Sequence, residues 1–259
     1  MLLSDKVAII SGIGPGLGQE LAHAAVREGA RVVLAARTES YLEEVDAELR
    51  SSGAETLVVP TDISKREQCD ALVEQTLSRF GKVDCLINSA YTPGQGGMFE
   101  SSDLNDWRLP LEVNLFGSLG LTQAAVGPMK EQGGGSVVFV NTMVQKKPLP
   151  TQGGYATSKG ALTAAARQLA RELGPHGIRV NSIYMGWMWG PPVEQYVEAA
   201  AKGQGVEPAE VIAGITKDIP IGVIPDDGDC ANAVVFLASD HARAITGAGL
   251  DCNGGEWMP

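Results

Sequence analysis

Short apolar runs alternate along the chain with longer segments that mix apolar and charged residues. The apolar runs are strand-like and lie at Val7–Ser11, Arg31–Ala36, Thr56–Pro60, Val83–Asn88, Ser136–Asn141, Arg179–Tyr184 and Gly249–Cys252. The helix-like segments lie at Leu17–Glu28, Ser40–Ser51, Lys65–Phe80, Asp103–Glu131, Tyr155–Gly174 and Gly228–Ser239. Continuous apolar strands that alternate with helices predict a doubly wound α/β fold, in which helices cover both faces of a mostly parallel, seven-stranded sheet.

The chain has no linker and no break in composition, so we expect residues 1–259 to form a single domain. The segment 187–220 departs from the alternation, because it carries two tryptophans and Pro191-Pro192 between the sixth strand and the last helix. Ligands of doubly wound sheets bind beyond the carboxyl ends of the strands, so this insertion is a candidate substrate lid. An ordinary surface excursion is the alternative.

Charge and composition narrow the possible functions. The net charge of −11 at pH 7 argues against binding to nucleic acid or to anionic membranes, which attract basic surfaces. We see no signal-peptide pattern and no apolar run long enough to span a membrane. The cysteines, which lack metal-ligand spacing, predict free thiols, no metal site and a reducing, cytoplasmic location. They are Cys69, Cys85, Cys230 and Cys252.

A glycine-rich turn, Ser11-Gly12-Ile13-Gly14-Pro15-Gly16-Leu17-Gly18, connects the first predicted strand to the first helix. Glycine allows a tight turn and lets the backbone approach a pyrophosphate, which the N–H groups and dipole of the helix N-terminus attract. At the start of a strand–helix–strand unit, this pattern predicts a Rossmann-like dinucleotide-binding domain.

The end of the second strand indicates which dinucleotide binds. NAD sites of this kind have an acid there to hold the ribose 2′-hydroxyl, whereas this chain has Ala36-Arg37-Thr38. Arg37 and the Thr38 hydroxyl can receive a 2′-phosphate. The sequence therefore favours NADP; NAD is the alternative if Arg37 is only a solvated charge.

Tyr155 and Lys159 are one helical turn apart, so their side chains project from the same face of a helix. An ammonium about 4 Å from a phenol favours the phenolate by about 4 kcal/mol at an effective dielectric constant of about 20, which is about three pKa units. The spacing predicts a tyrosine whose pKa falls towards neutrality and which acts as a general acid or base.

These motifs together resemble those of the short-chain dehydrogenase/reductase family in its single-domain form. The resemblance covers nearly the whole chain, and the motifs occur in the family's order. They are the turn Ser11–Gly18, Asp62 after the third strand, Asn88-Ser89-Ala90 after the fourth, Asn114 in the long helix, Tyr155-x-x-x-Lys159, and Arg179-Val180-Asn181 at the sixth strand.

The resemblance implies hydride transfer between a nicotinamide cofactor and a ketone or secondary alcohol. Tyr155 would exchange a proton with the substrate oxygen, and Lys159 would lower its pKa and hold the nicotinamide ribose. Asn114 would hold a water that relays protons to Lys159. The implied cofactor-binding residues are Ser11, Gly12, Gly16, Leu17, Gly18, Arg37, Thr38, Asp62, Ile63, Asn88, Ala90, Tyr155, Lys159 and Gly186.

Three positions depart from the family pattern. Thr142 stands where the family has a catalytic serine; it keeps a hydroxyl, and its methyl group narrows the site. Tyr91 replaces a glycine beside the adenosine ribose. Gly190 replaces a threonine that binds the nicotinamide carboxamide, so the carboxamide needs another partner.

Apolar residues near the expected substrate site favour a bulky, apolar ketone or alcohol as the small-molecule partner, with simple packing as the alternative. They are Met143, Trp187 and Trp189. A catalytically idle dinucleotide sensor stays open as a second function. A dehalogenase of the halohydrin type is disfavoured, because such proteins resemble this fold but lack the glycine turn and the lysine. The resemblance also implies a homotetramer or homodimer, with segments 103–131 and 155–174 at one interface and 247–259 at another.

Overall fold

A single parallel sheet organises the protein. The computed structural model describes residues 1–258; Pro259, the last residue of the predicted domain and of the second predicted interface, lies outside them. The strands pair in the order β3-β2-β1-β4-β5-β6-β7, each parallel to its neighbours. They are β1 (Val7–Ser11), β2 (Arg31–Ala36), β3 (Thr56–Pro60), β4 (Cys85–Asn88), β5 (Gly135–Thr142), β6 (Ile178–Met185) and β7 (Gly249–Cys252). The predicted doubly wound, seven-stranded sheet is confirmed.

Helices cover both faces of this sheet. They are α1 (Leu17–Arg27), α2 (Glu39–Ser51), α3 (Arg66–Phe80), α4 (Arg108–Pro110), α5 (Ser118–Glu131), α6 (Gly153–Leu173), α7 (Pro191–Gln204), α8 (Pro208–Thr216) and α9 (Asp227–Ala238). Successive strand residues point to opposite faces. Ile10 on β1 therefore packs in a cluster with residues of α1, α2 and α9, and Ile9 packs with residues of α3, α5 and α6. Burying each isoleucine contributes about 2 kcal/mol to folding.

The strand order reverses between β1 and β4, which are hydrogen-bonded neighbours although β2 and β3 separate them in sequence. Doubly wound folds open a crevice at such a switch point, beyond the carboxyl ends of the strands. The register pairs Ser11 with Asn88 at this point. The glycine turn after β1 and the loop after β4 therefore lie side by side at the crevice.

The expected continuous helix over 103–131 is wrong. A 3-10 turn occupies Leu104–Trp107, followed by the short α4, a π-helical turn at Leu111–Gly117, and α5. Asp103 caps the first turn, because its side chain accepts from the Asn105 N–H. Pro110 has no N–H for the preceding turn, so a regular α-helix cannot extend back through it.

The segment 187–220 is more regular than expected, since it contains α7 and α8. Pro191 and Pro192 start α7 rather than break a helix, because proline suits the first helical positions, where no N–H is needed. Helix α8 begins with a capping box between Glu207 and Glu210. None of the helices within residues 1–258 is long and apolar enough to cross a membrane.

Candidate active site

A cleft of about 640 Å³ lies along the carboxyl edge of the sheet. One end is lined by the glycine turn and the end of β2, and the other by the end of β5, the start of α6 and the loop after β6. The structure brings most of the predicted site residues to its walls. These are Gly12, Leu17, Gly18, Arg37, Thr38, Asp62, Ile63, Ala90, Thr142, Tyr155, Lys159, Gly186 and Trp187.

Six predicted residues lie outside the walls of the cleft: Ser11, Gly16, Asn88, Asn114, Met143 and Trp189. Met143 is buried beneath Gly186, where its sulfur packs against the backbone. Trp189 is held away by its backbone, since its N–H donates to the Pro225 carbonyl at 2.7 Å and it bridges to Asp226. The structure therefore separates Trp189 from Trp187, which does line the cleft.

Gly12 and Gly18 of the glycine turn are packed so closely against backbone atoms that a side chain is excluded at either position. A Cβ on Gly12 would lie 2.3 Å from the Ala90 nitrogen, and its φ of +89° favours glycine. A Cβ on Gly18 would lie 2.2 Å from the Gly12 carbonyl oxygen. These contacts hold the N-terminus of α1 against the crevice, where a phosphate binds well.

The predicted adenosine end of the cleft carries Arg37, Thr38 and Asp62. Arg37 is exposed at the rim. The pKa of Asp62 is lowered: burial opposes the charge, but hydrogen bonds from Ser64 and the nearby Arg37 outweigh it. Asp62 is therefore a carboxylate near pH 7, and it accepts from the Ser64 hydroxyl at 2.7 Å.

Helix α6 carries Tyr155 and Lys159 into the cleft. Gly153 at its start lets the helix lie against Trp107, since a Cβ there would be 2.4 Å from the indole ring. Lys159 is only 2% exposed, and its Nζ donates to the Val140 carbonyl at 2.7 Å. Burial lowers the pKa of Lys159 to about 7.

The predicted fall in the pKa of Tyr155 is not found. Burial raises its pKa, the Tyr91 phenol adds to the rise, and a hydrogen bond with Thr142 opposes it. Lys159 does not act on it as a fixed cation, because burial lowers the pKa of the amine to about 7, so that only about half of it is charged at pH 7. The structure thus has a neutral tyrosine beside a lysine that titrates near pH 7.

Asn114 lies in the π-helical turn and is fully buried. Its Oδ1 accepts from the Thr92 N–H at 2.7 Å, and its Nδ2 donates to the Thr92 carbonyl at 2.9 Å and to the Ser158 hydroxyl at 2.9 Å. Ser158 in turn donates to the Tyr155 carbonyl at 2.8 Å. Asn114 thus ties the loop after β4 to the helix that carries Tyr155 and Lys159.

Tyr91 and Asp227 are among the cleft residues that the sequence analysis did not predict as site residues. Tyr91 lines the wall, with its ring centroid 6.1 Å from that of Tyr155. Asp227, at the start of α9, also lines the cleft, and its carboxylate lies against Gly190 and Gly16. The glycine at position 190 was the available sequence signal for Asp227, but nothing in the sequence indicated which side chain would fill the space.

The residues present fit a dinucleotide. Gly14 of the glycine turn lines the cleft and has no atom within 4 Å of the place where a Cβ would lie, so the turn has room for a pyrophosphate there. Two buried polar atoms at the switch point, Ser11 Oγ and Asn88 Oδ1, have no hydrogen-bond partner within the described residues. Fold and cleft together define the dinucleotide-binding class of doubly wound α/β proteins.

Comparison with known proteins identifies the family within this class. The family model described as enoyl-(acyl carrier protein) reductase matches residues 12–256. The chain belongs to the short-chain dehydrogenase/reductase family of oxidoreductases, as the sequence motifs indicated.

Relatives and solved structures match over nearly their whole length. The 2,5-dichloro-2,5-cyclohexadiene-1,4-diol dehydrogenase of Sphingobium indicum is 30% identical, covering 98% of this chain and 96% of the relative. The L-sorbose reductase of Gluconobacter frateurii, solved with NADPH and L-sorbose, has a TM-score of 0.94 at 29% identity and full coverage of both chains. A 7α-hydroxysteroid dehydrogenase, solved with NADH and 7-oxo glycochenodeoxycholic acid, has a TM-score of 0.87 at 30% identity, covering 98% of this chain and 94% of that chain.

Proposed function

We propose that the protein interconverts a ketone and a secondary alcohol with a nicotinamide dinucleotide, NADP in preference to NAD. The observation that carries the proposal is the convergence of Thr142, Tyr155 and Lys159 on the cleft that the glycine turn also lines. When bound, the nicotinamide supplies or accepts the hydride. Side chains of this protein orient the substrate and transfer the proton.

Tyr155 acts as the general acid for reduction. Its raised pKa keeps the phenol protonated, so it has a proton to donate to a carbonyl oxygen. The Thr142 hydroxyl, which interacts with the same phenol, orients the substrate oxygen. Lys159 has a pKa of about 7, so it can take up or release a proton near neutral pH and restore the tyrosine.

Two features at the adenosine end support NADP. Arg37 and Thr38 line the cleft at the end of β2, where an acid would favour the 2′-hydroxyl of NAD. Arg37 acts on Asp62 but has no direct ion pair within residues 1–258, so its guanidinium is available to a 2′-phosphate. One structural neighbour was solved with NADPH and another with NADH. The neighbours therefore support binding of a nicotinamide dinucleotide but do not distinguish NADP from NAD.

An aromatic and apolar wall supports a bulky, cyclic substrate. Tyr91, Trp187 and Met188 line the cleft beside Tyr155, together with Leu109 and Val193. Flat apolar surface of this kind packs against rings. The match to a cyclohexadienediol dehydrogenase and the likeness to a hydroxysteroid dehydrogenase, whose names state cyclic substrates, agree with this class.

We infer that α7 and α8 form the lid over this substrate. Pro192 and Val193 at the start of α7 line the cleft, and Trp187 packs against Tyr196 with ring centroids 5.3 Å apart. The lid is thus joined to the pocket wall by an aromatic contact, and closure of the lid would move Trp187 towards the substrate.

We also propose that the chain forms a homodimer or homotetramer. Leu104 and Phe116, on the stretch that precedes α5 and outside the cleft, are each more than half exposed. Burying them against a second copy would remove apolar surface from water. Sedimentation equilibrium measures the state directly, and a monomer at micromolar concentration would contradict the proposal.

Turnover of a cyclic ketone panel tests the activity. Purified protein with NADPH should oxidise the cofactor, and Tyr155→Phe should abolish turnover while NADPH fluorescence still reports binding. Tyr41→Phe, at a tyrosine of α2 that bonds Gln19, is the matched control and should keep its activity. Full activity in Tyr155→Phe would refute the mechanism. Binding without turnover on any alcohol or ketone would instead indicate an idle sensor.

A further inference from the structure

The carboxyl group of Asp227 fills a space that two glycines leave beside the cleft. A Cβ on Gly190 would lie 1.8 Å from Asp227 Oδ2, and a Cβ on Gly16 would lie 2.7 Å from it. Side chains at either position are therefore incompatible with this placement of Asp227. The absence of a side chain at position 190 leaves the space that the carboxyl group of Asp227 occupies.

Asp227 lies where three helices begin. Gly16 precedes α1, Gly190 precedes α7, and Asp227 is the first residue of α9. The residue is 6% exposed and lines the cleft together with Gly14 and Leu17 of the glycine turn. A pyrophosphate bound at the N-terminus of α1 would therefore come close to the Asp227 carboxyl group.

The charged side chains that act on Asp227 are all acidic. Glu20 reaches it from α1, Glu194 from α7, and Asp226 is its neighbour in sequence. Burial, followed by these acids, raises the pKa of Asp227 to about 6. Cys230, one turn along α9, stays a neutral thiol near pH 7, because a hydrogen bond with Cys252 and then burial raise its pKa.

The two protonation states of Asp227 have opposite effects on a pyrophosphate. Pyrophosphate oxygens only accept hydrogen bonds and carry negative charge. A protonated carboxyl has an O–H to donate to them, whereas a carboxylate has only acceptors and repels them. A carboxylate at this position would therefore weaken the attraction that the α1 N-terminus provides.

We propose that Asp227 is an additional contact to the dinucleotide pyrophosphate, made with its carboxyl group protonated. The inference rests on the proposed function, since it requires that a dinucleotide binds in the cleft. It predicts that binding takes up a proton, so that affinity falls as the pH rises above neutrality. Nothing in this contact requires the substrate or turnover.

The test is the pH dependence of NAD binding, measured by isothermal titration calorimetry at pH 5.5 and pH 8. NAD is used because it lacks the 2′-phosphate, whose own ionisation near pH 6 would obscure the effect. We expect the Kd of the wild-type protein to rise by about tenfold or more from pH 5.5 to pH 8. Asp227→Asn, which keeps the shape and a donor without the charge, should lose most of this pH dependence; what remains is due to Lys159, which titrates near pH 7 in the same cleft.

Two controls sharpen the result. Asp226→Asn removes the same charge one residue away, at a side chain outside the cleft, and should keep most of the wild-type pH dependence. ADP-ribose, which has the pyrophosphate but no nicotinamide, should show the same dependence as NAD. The proposal is overturned if Asp227→Asn keeps the wild-type dependence, if it binds more weakly than wild type at pH 8, or if only NAD shows the effect. Absence of NAD and NADP binding at every pH would instead refute the proposed function.

Discussion

Replacing Lys159 with methionine should stabilise the protein while removing its activity. Lys159 is buried, and burial brings its pKa from the ordinary value of 10.5 to about 7. A drop of this size corresponds to about 5 kcal/mol of unfavourable free energy for the charged form. At pH 7 the buried lysine therefore lowers the free energy of unfolding, whereas a neutral side chain of similar length would not.

The sign of the pH dependence follows from the direction of this shift. Between about pH 7 and 10.5 the unfolded lysine holds a proton that the folded lysine has lost. The free energy of unfolding of the wild-type protein therefore rises with pH across this window, and the cost is complete below pH 7. This cost is about 4 kcal/mol at pH 7 and falls to about 1–2 kcal/mol at pH 9.5.

Methionine fills a similar volume but cannot donate to the Val140 carbonyl, a loss of about 1–3 kcal/mol. Lys159→Met should thus exceed the wild type by about 2 kcal/mol at pH 7, and this advantage should fall by about 3 kcal/mol by pH 9.5. Urea unfolding without dinucleotide measures both values.

Lys202→Met, at an exposed lysine of α7, is the control for the removal of a positive charge. Its free energy of unfolding should lie within about 0.5 kcal/mol of the wild-type value. A difference between Lys159→Met and wild type that does not change with pH would refute the reasoning. So would a variant that is less stable than wild type at pH 7.

Two further variants test the ends of the cleft. Asn114→Ala removes three hydrogen bonds and leaves the Thr92 backbone without its partners, so we expect a loss of about 2–4 kcal/mol in urea unfolding together with a lower kcat. Unchanged stability would show that water replaces the amide. Arg37→Asp should reverse the preference between NADP and NAD, measured as the ratio of their Kd values. A ratio that stays as in wild type would remove Arg37 from cofactor selection.

Much of the fold could be predicted from the sequence because its signals are local. Each apolar run long enough to form a buried strand became one, and the ends of the five other predicted helices moved by at most two residues, whereas the helix predicted over 103–131 did not form as one helix. The need for glycine in the turn could also be predicted. Gly18 meets the backbone of the turn itself, and Gly12 meets the backbone of the loop after the neighbouring strand β4. Tyr155 and Lys159 share a helix, so their spacing fixed their common face.

The rest depended on contacts that the sequence does not encode locally. The π-helical turn around Asn114 is held by Thr92, more than twenty residues away, and Asp227 meets Gly190 and Gly16 from a separate helix. The pKa of Tyr155 was mispredicted for the same reason: spacing gives a distance to Lys159 but not the degree of burial, which dominates both side chains.

The hydrogen bonds between the Asn114 amide and Thr92 link two properties of the site, the choice of substrate and the transfer of the proton. Thr92 follows Tyr91, the aromatic wall beside Tyr155, and Asn114 also holds the helix of the tyrosine through Ser158. Substitutions at Tyr91 itself leave the backbone clamp in place, so substrate range can change there without moving Tyr155, although losing the Tyr91 phenol lessens the rise in the pKa of Tyr155. Substitutions that shift the Thr92 backbone act on both at once. Variation in substrate choice should therefore accumulate at position 91 and not at its neighbour.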